Sequence, residues 1–198
     1  MMSKGDYLTA ILRSPKTVFT SKDIALLWNE QSSNSARVRL NYYARKGDLY
    51  RIRRGLYAKD KNYNRIELAT RIFTPSYVSF ETVLAKDGVT FQFYRQIFVA
   101  SYLTREIIID GQAYCFKQIR KHILTNPNDI KHKDESSIAT KERAFLDTLY
   151  INTDYYFDNL GGLDWNKIFE IVPIYQNKRM TKKVKELYTQ TTSSKEHI

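Results

Sequence analysis

At Gly47 the spacing of the apolar residues changes, and no other feature of the chain limits its fold so tightly. Before Gly47 they recur at helical intervals. Residues 6–13 carry Tyr7, Leu8, Ile11 and Leu12 on one stripe, and Pro15 ends that helix because a residue before proline is driven out of the α region. Thr20 or Ser21 offers an N-cap, and Asp23 brings negative charge to the first turn of a second helix bearing Ile24, Leu27 and Trp28. Ser32 and Ser33 suit another cap. A third helix is predicted from about Ser35 to Lys46, with Ala36, Leu40, Tyr43 and Ala44 facing inward and Gly47 supplying the left-handed turn that ends it. Beyond Gly47 the period is two. Residues 49–52 and 56–58 read as the strands of a short hairpin about Arg53-Arg54-Gly55. Three short helices followed by a basic hairpin is the order of a winged helix-turn-helix.

Charge follows the same boundary. The 198 residues hold 32 Lys and Arg against 21 Asp and Glu, a formal net charge of +11. Residues 1–65 contain 14 of those cations and 5 of those acids, a net of +9, which leaves 18 against 16 and only +2 for the rest. So basic a segment repels itself unless an anionic partner offsets the charge, and nucleic acid is the usual one. On the third helix Arg37, Val38, Asn41, Tyr42 and Arg45 lie away from the inner set, with Arg39 and Lys46 on a flank. In a major groove arginine can donate twice to guanine and asparagine can pair with adenine, while further cations meet phosphates. The candidate DNA contacts are therefore Ser33, Ser35, Arg37, Arg39, Asn41, Tyr42 and Arg45, joined by Arg51, Arg53 and Arg54 of the hairpin. The competing reading is a protein-interaction module whose basic face binds an acidic partner.

The remainder reads as a second α+β domain with a small antiparallel sheet. After a polar stretch at 59–64, a helix is predicted over 65–73 and an extended piece at Tyr77-Val78. Ser79 is positioned to cap a helix that ends at Gly88. Residues 97–100, 104–109 and 112–119 read as strands, with Asp110-Gly111 as a two-residue hairpin turn. Helices are predicted over 137–150, 164–172 and 174–188, with Pro173 interrupting the last two. The apolar residues Leu84, Ile97, Val99, Phe145, Leu146 and Leu149 are the expected core. A basic run, Lys178, Arg179, Lys182, Lys183 and Lys185, stands out on the last helix, with Val184 and Leu187 able to face inward. The domains are thus 1–62 and 63–190, with a polar tail at 191–198.

Several chemistries are excluded. One cysteine, Cys115, rules out an internal disulfide, a cysteine-based zinc finger and an iron–sulfur site. His122 and His132 do not have a recognised metal spacing, and no phosphate-binding loop, dinucleotide-binding glycine motif or nucleophile elbow is present. Lys141-Glu142-Arg143 with Asp147 resembles a nuclease cluster in composition, but helical spacing explains it as local pairing. No stretch reaches the ~20 apolar residues that span a bilayer. The expectation is a cytoplasmic, non-enzymatic protein without metal, cofactor or membrane partner.

Four segments in order carry a resemblance. They are Val18-Phe19-Thr20 with Asp23-Ile24-Ala25; the hairpin Arg53-Arg54-Gly55-Leu56-Tyr57; the run from Pro75 through Ser79-Phe80-Glu81 to Leu84; and the run from Ile138 through Lys141-Glu142-Arg143 to Asp147. Over about residues 5–190 the chain resembles an AbiEi-type antitoxin, the regulator of a type IV toxin–antitoxin pair used in abortive infection against phage. The resemblance implies an N-terminal winged helix that binds inverted repeats at its own promoter and represses the operon. It also implies a C-terminal domain that counteracts a nucleotidyltransferase-like toxin without a stable complex. Lys178, Arg179, Lys182, Lys183 and Lys185 are the candidate antitoxin surface, and on the competing interaction-module reading the basic face binds the toxin directly.

Overall fold

The computed structural model describes residues 4–30 and 32–193. The chain forms two compact units, Met1–Ile72 with Asp134–Ser136, and Phe73–Lys133 with Ser137–Ile198. The first carries α1 (Lys4–Arg13), β1 (Val18–Thr20), α2 (Ser21–Leu27), α3 (Ser33–Lys46), β2 (Tyr50–Arg53), β3 (Leu56–Ala58) and α4 (Arg65–Ile72). Thr20 caps α2 in a reciprocal box with Asp23: the Thr20 side chain accepts from the Asp23 amide, and Asp23 accepts from the Thr20 amide. Ser32 caps α3 by accepting from the Asn34 amide, and Gly47 closes that helix at φ +83°. Ser33 begins α3, and its side chain lies outside the described residues.

The three strands form an antiparallel sheet in the order β1-β3-β2. β1 goes beyond the sequence reading, because three residues between a proline and a helix cap are too few to display alternation. Ile11, Phe19, Ile24, Trp28, Ala36, Leu40, Tyr43, Leu49 and Tyr57 form the core. Leu27, expected inside, is 38% exposed, while Trp28 is buried and donates its indole N–H to the Tyr7 carbonyl at 2.9 Å. The unit extends past residue 62 because α4 is anchored to the strand end. Glu67, 1% exposed, accepts from the Thr17 amide at 2.9 Å and the Thr17 hydroxyl at 2.6 Å.

Asp23 also accepts from Lys16 Nζ at 2.9 Å and from Arg71 at 3.2 Å. Burial alone would raise its pKa, but the Thr20 hydroxyl, Lys16, the Thr20 amide and Arg71 together hold the carboxyl below its ordinary value. A depressed folded pKa gives stability that is complete above the unfolded pKa of ~3.9 and lost as pH falls through the folded value. Asp23→Asn should therefore cost about 1 kcal/mol at neutral pH. It should also flatten the acid limb of a stability profile taken by thermal unfolding. A variant with the same acid limb as the parent would show that Asp23 does not set it.

The rest of the chain supplies β4 (Ser76–Val78), α5 (Glu81–Lys86), β5 (Ile97–Ser101), β6 (Arg105–Ile109), β7 (Gln112–Gln118), α6 (Lys121–Leu124), β8 (Ile130–Lys133), β9 (Ser136–Ala139), α7 (Lys141–Ile151), α8 (Trp165–Ile171) and α9 (Lys178–Ser193). Asp110 and Gly111 make the expected turn at φ 48° and 75°. The sheet itself differs from expectation. It has six strands in the order β6-β7-β5-β4-β9-β8, and β5/β7 and β4/β9 are parallel. Alternation along a strand says which face is buried, not which neighbour it meets, so the mixed pairing is not written in the local pattern. Residues 137–139, read as the start of a helix, belong to strand β9, and Thr140 caps α7 instead. Ile174 falls in a 3₁₀ turn, Val172–Tyr175, ahead of α9, which carries residues 191–193 of the expected tail as helix; 194–198 lie outside the described residues.

Ser79 does not cap α5, whose N-cap Phe80 makes no side-chain bond. Its hydroxyl donates instead to Asp147 Oδ2 at 2.7 Å, one of four groups converging on that carboxylate. Tyr77 donates at 3.0 Å, Tyr175 at 2.7 Å, and Arg143 Nε lies 3.4 Å away one helical turn back. Both charged side chains are completely buried. Arg143 also donates to the carbonyls of Ile123 at 2.7 Å and Asn128 at 3.0 Å, so the network ties β4, α6, α7 and the 3₁₀ turn together. Burial pushes the Asp147 carboxyl up against the downward pull of Arg143, Tyr175, Ser79 and Tyr77. Around the network Leu84, Val99, Phe145, Leu146 and Leu149 are fully buried and Ile97 nearly so, as the sequence pattern predicts. Asp147→Ala strands a buried guanidinium and should cost about 3–5 kcal/mol. Urea denaturation followed by tryptophan fluorescence, in which Trp165 reports this unit and Trp28 the other, checks this; a loss under about 1 kcal/mol would mean that the pair is not essential to the fold.

Candidate nucleic-acid interface

α3 and the β2–β3 hairpin position the site. Ala36, Leu40 and Tyr43 anchor the helix inward, which leaves Ser35, Arg37, Val38, Tyr42 and Arg45 exposed along the opposite side. Val38 is 69% exposed, a β-branched side chain held in water on an otherwise polar surface. In β2, Tyr50 and Ile52 are half-buried while Arg51 and Arg53 point outward. A register shift lies between those two arginines, opposite Tyr57 and Leu56. Arg54 and Gly55 make the tip, where Gly55 at φ +84° adopts a conformation that glycine takes without strain.

The candidate contacts divide into two groups by what already satisfies them. Arg39 is drawn into the domain: it pairs with Glu30, and its guanidinium lies 3.8 Å from the Tyr7 ring centre and 5.5 Å from that of Trp28. Asn41 is half-buried, and its Oδ1 accepts from the Tyr57 hydroxyl at 2.7 Å. Lys46 on the flank pairs with Asp48 at 3.4 Å. By contrast Arg37, Arg45, Arg51, Arg53 and Arg54 are exposed, and none has an acidic or hydrogen-bonding partner among the described residues. Asn41, Ala44, Arg45 and Arg51 line a recess of about 190 Å³ between helix and strand. Sequence reasoning missed the Tyr57–Asn41 bond because the partners belong to different elements. Only the burial of a tyrosine beside a hairpin turn hinted that its hydroxyl needs an acceptor.

A second basic surface lies on α9. Met180 and Val184 are buried beneath it and Leu187 is half-buried. Lys178, Arg179, Lys182 and Lys185 are exposed and Lys183 is half-buried. One helical stripe containing Lys182 and Lys185 borders two clefts of about 580 and 530 Å³. Arg179 approaches Asp154 at 3.4 Å and Lys182 approaches Glu186 at 4.0 Å, exposed pairs of the kind worth little in water.

Elsewhere the titratable groups offer little chemistry. Burial, followed by the nearby Glu106 carboxylate, pushes the Cys115 thiol up to about 11, so it stays protonated at neutral pH. His122 and His132 are exposed, with His132 Nδ1 3.1 Å from the Ser137 hydroxyl. No group of three or more metal-ligating side chains occurs among the described residues, and no helix among them is long and apolar enough to cross a membrane.

The first unit thus presents five exposed arginines, on α3 and the β2–β3 hairpin, that have no acidic partner among the described residues. Residues 6–58 match the family described as transcriptional regulator, AbiEi antitoxin. The match runs from α1 to the last residue of β3, and over it the chain is similar to an AbiEi-type antitoxin, a family of regulators rather than enzymes. Comparison with curated proteins gives no match.

Proposed function

We propose that this chain is a DNA-binding autorepressor and antitoxin of a type IV toxin–antitoxin system, acting in the cytoplasm. In this reading the first unit is a winged helix-turn-helix: α3 enters the major groove at inverted repeats in the chain's own promoter, and the β2–β3 hairpin is the wing. The observation that carries it is the placement of Arg37, Arg45, Arg51, Arg53 and Arg54. Lys16, Arg39 and Arg71 elsewhere in the unit pair with carboxylates, while these five, clustered on α3 and the hairpin, have no acidic partner among the described residues. The family match supports regulation by an antitoxin of this type. The second unit then counteracts a nucleotidyltransferase-like toxin without forming a stable complex, with Lys178, Arg179, Lys182, Lys183 and Lys185 as its working surface.

Two outcomes test the DNA half. Arg53→Ala with Arg54→Ala removes phosphate contacts, so affinity should fall alike on promoter and random duplex. The slope of log K against log salt should drop by about one to two. An unchanged slope in the folded variant would take the wing out of the interface. Arg37→Ala should act differently, costing ~1–3 kcal/mol of discrimination at a defined operator position and little on random DNA. Equal losses on both would make Arg37 a phosphate contact. A chain whose promoter binding is insensitive to salt would favour an acidic protein partner instead.

A further inference from the structure

We infer that the recess between α3 and β2 is a seat for one phosphate of a nucleic-acid backbone, and that Asn41 serves it as a donor rather than reading adenine. The source of that phosphate rests on the DNA-binding reading above; the geometry does not. The lining is Asn41, Ala44, Arg45 and Arg51, with no acidic side chain among them. Arg45 follows Asn41 by one helical turn, and Arg51 stands directly across the ladder from Tyr57. At about 190 Å³ the space equals roughly six waters at ~30 Å³ each, room for a tetrahedral anion.

Tyr57 decides which way Asn41 faces. Its ring is 1% exposed, so its hydroxyl hydrogen needs an acceptor, and Asn41 Oδ1 at 2.7 Å is that acceptor. The amide is thereby fixed with its oxygen toward the sheet. The Nδ2 hydrogens make no bond among the described residues and are left for the recess. All the polar groups of the lining are then donors: one amide nitrogen and two guanidiniums. The oxygens of a phosphodiester are acceptors only, which is the complementary set. Adenine presents an acceptor and a donor side by side and needs both ends of an asparagine amide. Asn41 Oδ1 already accepts from Tyr57, so a bidentate contact to adenine would have to share that oxygen through its second lone pair, whereas a phosphate uses only the N–H groups. A carboxylate from a protein partner is planar and satisfied by one guanidinium fork, whereas these donors come from two elements.

The test uses the full chain, isotope-labelled, without DNA. Inorganic phosphate, dimethyl phosphate and acetate are titrated separately at constant ionic strength. The side-chain amide of Asn41 and the Nε–H groups of Arg45 and Arg51 report binding. Both phosphates should shift all three signals saturably and acetate should not. Arg51→Gln should abolish the shift at Asn41, and Arg51→Lys should restore part of it. Tyr57→Phe, which keeps the ring and frees the amide, should weaken binding about two- to tenfold. Phosphate without a saturable shift, acetate matching it, or an Asn41 shift that persists in Arg51→Gln would each overturn the seat. Binding of inorganic phosphate but not dimethyl phosphate would overturn the backbone assignment in favour of a terminal phosphate. Saturation in a chain that fails to bind promoter DNA would leave the seat standing and remove the repressor reading.

Discussion

Tyr57 joins α3 to the β2–β3 hairpin of the first unit. It sits in the middle strand of three, fully buried, with β1 on one side and β2 on the other. Its ring belongs to the same core as Ile24, Leu40 and Trp28, and its hydroxyl reaches the outer flank of α3 at Asn41. That bond, with the shared core of Leu40, Tyr43 and Leu49, ties the helix to the hairpin. A helix and a hairpin must keep a fixed spacing to engage neighbouring grooves or phosphates of a rigid duplex, so the geometry of any DNA contact depends on this buried phenol. The hydrophobic seam of Ala36, Leu40 and Tyr43 then holds the rest of the helix at constant rotation.

Much of this unit was legible in the sequence because its signals are local. Thr20 with Asp23, Ser32 before α3, Gly47 after it, and the change of period across Gly47 each act within a few residues. The contacts that local pattern does not display are non-local. Arg39 looked like a flank residue available to solvent, yet Glu30, across the turn between α2 and α3, draws it over Tyr7. α4 looked like the opening of a second domain, yet Glu67 bonds to Thr17, far back in the chain. In the second unit, β4 to β7, the Asp110-Gly111 turn and the apolar core followed from pattern, whereas β8, β9 and the parallel pairings depended on contacts that no window of sequence contains.

The two units are stabilised by different physics. The first is small and relies on capping, a compact apolar core and the Asp23 cluster with Lys16 and Arg71. The second commits an entire buried ion pair. Arg143 and Asp147 are one helical turn apart, a spacing readable in the sequence, but only the fold shows that neither side chain meets solvent. Desolvating both charges is expensive, and the arrangement is tenable because Ser79, Tyr77, Tyr175 and two backbone carbonyls saturate them. Such a network tolerates one arrangement of β4 and α7 and penalises others, which suits a mixed sheet whose strand order is weakly specified by pattern alone.

The unpaired arginines of α3 and the hairpin also bear on how long the free chain lasts. Like charges without counterions raise the free energy of the folded unit and leave the expanded chain less affected. Any polyanion that occupies this face stabilises the folded state by an amount that grows with the logarithm of its concentration once that exceeds Kd. Heparin or a short duplex should thus act as a thermal protectant for the first unit. On that reading a polyanion on this face would also slow proteolysis of the first unit, because it lowers the unfolded fraction.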